Sequence, residues 1–159
     1  MGVAIGVSLA VAALIAWRVP GGERTLGADV RFEALQTGEI GVSPLHPFVS
    51  TPSLLPGSSI AGDVTVRNQT GVPLATSLRA QPSTRGLDRL LRVRVASGAQ
   101  TLYDGMLAGL RTAGTRPLTL RPAQAARVRV RASLPDGLRN GFQGRILDVG
   151  LEIQTRRAR

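Results

Sequence analysis

Residues 126–134 read Ala-Arg-Val-Arg-Val-Arg-Ala-Ser-Leu. Ala126, Val128, Val130, Ala132 and Leu134 alternate with Arg127, Arg129 and Arg131. Successive side chains of a strand point to opposite faces, so a period of two sorts aliphatics to one side and guanidiniums to the other. The stretch therefore predicts a half-buried β-strand with one wet face.

The same pattern recurs in both directions along the chain. Leu91, Val93 and Val95 alternate with Arg92 and Arg94, and Leu147, Val149, Leu151 and Ile153 alternate with Asp148, Gly150 and Glu152. Ile60, Gly62, Val64 and Val66 form an alternating run that reaches Asn68-Gln69-Thr70-Gly71, a turn by residue chemistry. Leu74, Thr76, Leu78 and Ala80 lead out of it, giving strand, turn and strand over 58–81. Segment 28–42 reads as one long or two short strands. Residues 43–57 carry Pro44, Pro47, Pro52 and Pro56, which a central strand does not tolerate. Leu102-Tyr103 makes a short strand that ends in a turn at Asp104-Gly105, and 106–111 reads as a turn of helix. Leu118 and Leu120 add one more short strand.

Seven to nine short strands, each with one apolar face, must bury those faces against one another. The expected fold is all-β, a single sandwich domain over 28–155 after an N-terminal apolar helix. Sixteen aliphatics are expected inside: positions 64, 66, 74, 78, 91, 93, 95, 118, 120, 128, 130, 134, 147, 149, 151 and 153. Each contributes about 1.5–3 kcal/mol on burial. Aromatics make up only 3% of the 159 residues, so Val, Leu, Ile and Ala must build the core.

Ahead of the domain, Val3–Trp17 is an uncharged, almost wholly apolar run, closed by Arg18 and Pro20-Gly21-Gly22. It is shorter than the roughly 20 residues of a spanning helix. Residues 1–18 read as a signal peptide or an N-terminal membrane anchor, although a basic start and an A-x-A cleavage site are both missing. Residues 19–27 read as a linker and 156–159 as a basic tail. The expected location is outside the cell or on its surface, membrane-anchored if the leader is retained, with no other membrane contact.

The chemistry of the chain is narrow. Without cysteine there is no disulfide, thiolate metal site or cysteine nucleophile. The lone His46 sits between Leu45 and Pro47 in the Pro-rich passage. One histidine cannot form the usual zinc centre, and no nucleophile elbow or phosphate-binding glycine loop accompanies it. No catalytic, cofactor-binding or metal-binding residues are expected, and no enzyme activity. Asn68-Gln69-Thr70 matches a glycosylation sequon, but its turn chemistry explains it.

The net charge is +10, and all 20 basic residues are arginine. Arg92 and Arg94 share one strand face, as do Arg127, Arg129 and Arg131. If the two strands share a sheet, the five form a basic stripe suited to an anionic polymer such as a wall polymer. The other reading is a solvated strand face that discourages edge contacts. Specific nucleic-acid recognition is not expected, because the aromatic platforms of single-strand binders are missing.

A set of short motifs, in order and spacing, resembles the TasA/camelysin (CalY-like) family of bacterial surface and biofilm-matrix proteins. They are Phe32, Leu55-Pro56-Gly57-Ser58, the run Val64–Leu74, Leu102–Leu107, Leu134-Pro135-Asp136 and Asn140-Gly141-Phe142-Gln143-Gly144. The resemblance covers about residues 28–155. It implies a jelly-roll or Greek-key-like sandwich and a structural role at the cell surface or in an extracellular matrix. The partners it implies are further copies of the chain or other surface proteins. It also implies fibres in which an N-terminal segment completes the sheet of the next subunit. Here the donor would be Ala28, Val30, Phe32, Ala34 and Leu35; otherwise the segment pairs within its own domain.

Overall fold

The alternation at 126–134 becomes the central strand of a five-stranded sheet. The computed structural model describes residues 27–81, 87–138 and 142–158. The apolar segment 1–18, the expected linker up to residue 26, Asn140, Gly141 and Arg159 lie outside the described residues.

Ten strands run in chain order: β1 (Ala28–Leu35), β2 (Ile40–Ser43), β3 (Val49–Leu54), β4 (Ser59–Asn68), β5 (Leu74–Ala80), β6 (Arg92–Ser97), β7 (Gln100–Met106), β8 (Leu118–Leu120), β9 (Ala125–Ser133) and β10 (Ile146–Arg157). A seven-residue helix, α1 (Leu107–Ala113), sits between β7 and β8. The first sheet has the order β3-β1-β10-β5-β8, and the second β2-β4-β9-β6-β7. Only the β6–β7 link joins neighbours in one sheet; every other link between successive strands crosses to the opposite sheet. This is an all-β sandwich, and its ten strands exceed the expected seven to nine because β3 lies in the Pro-rich passage that reads as non-strand.

The inward faces meet in a single apolar core. Fifteen of the sixteen expected aliphatics are buried, and Leu118 packs half-buried against them. Phe32, Val49, Leu54, Leu87, Leu102, Leu107, Leu110 and Phe142 join them in the core. Phe142 anchors the approach to β10. Helix α1 carries the chain from the edge of the second sheet to the edge of the first. It buries Leu107 and Leu110 and ends at Gly114 with φ 72°. Arg111 on α1 pairs at 2.6 Å with the largely buried Asp88, tying the helix to the turn at 87–89.

Several expectations change. Segment 28–42 is two strands, and they lie in different sheets. The Pro-rich passage contains β3, which tolerates Pro52 because it is an edge strand with only β1 beside it. The strand, turn and strand over 58–81 is present as β4, the turn at Asn68 and β5, with the two strands in opposite sheets: β4 pairs with β2 and β9, β5 with β10 and β8. Asp104-Gly105 lies within β7 instead of ending it. A Cβ at Gly105 would stand 2.8 Å from the Tyr103 hydroxyl, so glycine there admits the tyrosine ring. The final strand also extends past 155, with Arg156 and Arg157 paired to Ala75 and Leu74.

The expected donor segment is held inside its own domain. β1 lies parallel to β10 on one side and antiparallel to β3 on the other, with Ala28, Val30, Phe32 and Ala34 buried and Leu35 half-buried. Its main chain thus has hydrogen-bonding neighbours on both sides.

Asn68 fixes the corner where the chain leaves the second sheet for the first. Its buried amide donates to the carbonyls of Val72 (2.8 Å) and Leu120 (3.0 Å). Its side-chain oxygen accepts from the Thr70 backbone N–H and hydroxyl, both at 2.8 Å. This burial and bonding account for the sequon match in structural terms. Replacing Asn68 by Ala takes a donor from the buried Leu120 carbonyl and removes the other bonds of the turn, at a cost of about 1–3 kcal/mol. Urea unfolding should show that loss as a lower midpoint with an unchanged slope; a loss below about 1 kcal/mol contradicts the clamp.

Candidate functional site

β9 decides where the arginines go. Val128, Val130 and Ala132 are fully buried, so the pleat must turn Arg127, Arg129 and Arg131 outward. β6 lies beside it with Val93 and Val95 buried, which turns Arg92 and Arg94 to the same outer face. In register, Arg94 stands opposite Arg131, Ala96 opposite Arg129 and Arg92 opposite Ser133. The structure therefore brings all five candidate arginines onto one face of one sheet.

On the other flank, β4 contributes Asp63 opposite Arg129, Ser59 opposite Ser133 and Arg67 opposite Ala125. β7 contributes Asp104 opposite Arg94. The outer face of the second sheet thus carries six arginines and two carboxylates. Arg67 was missed in the sequence, although Asp63-x-Thr65-x-Arg67 is the polar half of the β4 alternation. Asp63 carries no local signal, because its partners are more than sixty residues away.

Asp63 is the hub of this face. Arg129 forks onto it, Nε to Oδ1 and Nη2 to Oδ2, both at 2.9 Å, and Arg127 Nη2 reaches Oδ2 at 2.7 Å. The hydrogen bond from Arg129, aided by the charges of Arg127 and Arg129, holds the Asp63 carboxyl below its usual range, against an opposing effect of burial. The same hydrogen bond raises Arg129 further. Arg92 places Nε and Nη2 each 3.0 Å from Asp104 Oδ1. Arg94 and Arg131 bond to hydroxyls. Arg94 Nη2 donates to Thr101 Oγ1 at 3.1 Å, and Arg131 donates to Ser59 Oγ from Nε (3.1 Å) and Nη2 (2.8 Å).

The outer face of the first sheet is different. Asp29, Glu33, Asp148 and Glu152 there stand among Arg31, Arg79 and Arg156, so the charge nearly cancels. A cleft of about 610 Å³ by the end of β10 is lined by Ala75, Pro117, Thr119, Arg156, Arg157 and Ala158, with no nucleophile–base pair. His46 is exposed, its Nδ1 3.2 Å from the Pro47 carbonyl oxygen. Among the described residues no group of three or more His, Asp or Glu side chains could hold a metal ion. No helix among them is long and apolar enough to cross a membrane.

A scan against protein-family models gives no match, and a search of the curated proteins gives none. Among solved structures the chain is similar to AvmM, which catalyzes macrocyclization in alchivemycin A biosynthesis. The likeness has a TM-score of 0.36 and 15% identity, covering 76% of this chain and 89% of that one. At that score it bears on neither the activity nor the site.

The Asp63 cluster makes a pH prediction. Its folded-state pKa is depressed, so the stability it contributes is in place above the unfolded value of about 3.9 and is lost as pH falls through the folded value. A carboxyl-carbon NMR titration should place the Asp63 midpoint below 3.9, and Arg129→Gln should move it back up. A midpoint at or above 3.9 in the unaltered protein contradicts the fork.

Proposed function

We propose that this domain is a binding module for an anionic polymer, displayed at the cell surface by an exported chain. The observation that carries the reading is the outer face of the second sheet, where six arginines meet two carboxylates while the opposite face nearly balances. A single-sign field over a flat face attracts a polyanion lying across it and supplies no pocket for a small molecule. Among the described residues no aromatic side chain stands on this face to stack a base, which favours a simple polyanion over nucleic-acid recognition. The apolar run Val3–Trp17 supports export, and the resemblance to TasA/camelysin proteins supports a place at the surface or in a matrix.

Fibre formation by strand complementation has less support in the geometry. The donor segment would have to leave both β3 and β10. The sheet edges are also poor templates for another chain: β2 has four residues, β8 three, β3 carries Pro52 and a bulge, and β7 is bulged.

Binding of long-chain polyphosphate should be readily measured at low salt and weaken steeply as NaCl is added. The triple variant Arg127→Gln, Arg129→Gln, Arg131→Gln should lose most of the affinity. Asp63→Asn should gain it, because two guanidiniums are released and one negative charge is removed. A triple variant that binds like the unaltered protein overturns the reading.

A further inference from the structure

The arginines of this face are not equivalent. Arg127 and Arg129 lie two residues apart on β9, and the chain resolves their repulsion by seating the Asp63 carboxylate between them. Arg94 and Arg131 present the same problem across two strands, since they stand directly opposite in the β6–β9 register. Like charges in that position repel, yet among the described residues no carboxylate bonds to either of them. Asp104 is across from Arg94 in the β6–β7 register, but its carboxylate is bonded to Arg92. The two guanidiniums instead lean apart, Arg131 toward Ser59 on β4 and Arg94 toward Thr101 on β7. Each is left with donors beyond those its hydroxyl uses, because a guanidinium carries five.

We infer that the gap between Arg94 and Arg131 is the seat of one phosphate group of the bound polymer. This rests on the polyanion-binding reading and names the group that the face holds most specifically. The ligand oxyanion takes the place that Asp63 takes for Arg127 and Arg129. A tetrahedral phosphate can accept from guanidiniums approaching from two sides, and charge-assisted bonds to both remove the cross-strand repulsion. Arg92, Arg127 and Arg129 already have an acid within the chain, so they supply field more than grip.

Four single variants of the full chain separate grip from field, because each removes one positive charge from the same face: Arg94→Gln, Arg131→Gln, Arg92→Gln and Arg127→Gln. Circular dichroism checks that each keeps the fold. Titration with long-chain polyphosphate at fixed low salt should show at least a tenfold loss for Arg94→Gln and for Arg131→Gln, and less than threefold for the other two. Equal losses in all four overturn the seat while leaving polyanion binding in place. No binding by the unaltered protein overturns both.

Discussion

The register of β9 is the constraint on which the rest depends. Its nine residues place Val128, Val130 and Ala132 in the core and Arg127, Arg129 and Arg131 in water. A slip of one residue would exchange the two sets and bury three guanidiniums, a cost far above the stability of a small domain. β9 also sits between β4 and β6, so its register fixes theirs. The Asp63 fork and the Arg94–Arg131 opposition both follow from that one alignment. Core packing and surface charge are two sides of a single choice.

The crossing topology then decides which surfaces remain available. Nearly every link passes between sheets, and both sheets are closed by short or interrupted strands. β1 and β10 bring the first and last strands of the domain together in parallel, which gives the N-terminal strand neighbours on both sides. Asn68 secures the turn from β4 to β5, and α1 closes the side from β7 to β8. What remains open and chemically distinctive is the flat basic face.

Alternation made much of this legible. Period two located the aliphatics, and it separated Arg92, Arg94, Arg127, Arg129 and Arg131 from them. What it could not give is which strands share a sheet. The strand, turn and strand around Val64–Leu78 is legible, but that Asn68 turns the chain across the core into the other sheet is not. Local chemistry also misled at Asp104-Gly105, where the glycine admits Tyr103 rather than making a turn, and at Pro52, where an edge position removes the objection to proline. Asp63 was hidden because its role depends on residues brought beside it by the fold. The Arg94–Arg131 opposition was hidden for the same reason, since register between strands more than thirty residues apart leaves no local signal.

The central claim is that one face of one sheet receives the anion. Backbone amide shift mapping during titration with long-chain polyphosphate tests it most directly. The predicted result is a footprint on the outward residues of β4, β6 and β9, centred on Arg94 and Arg131, with the outer face of β1, β5 and β10 unmoved. Shifts centred on that opposite face, or spread evenly over the domain, would contradict the account.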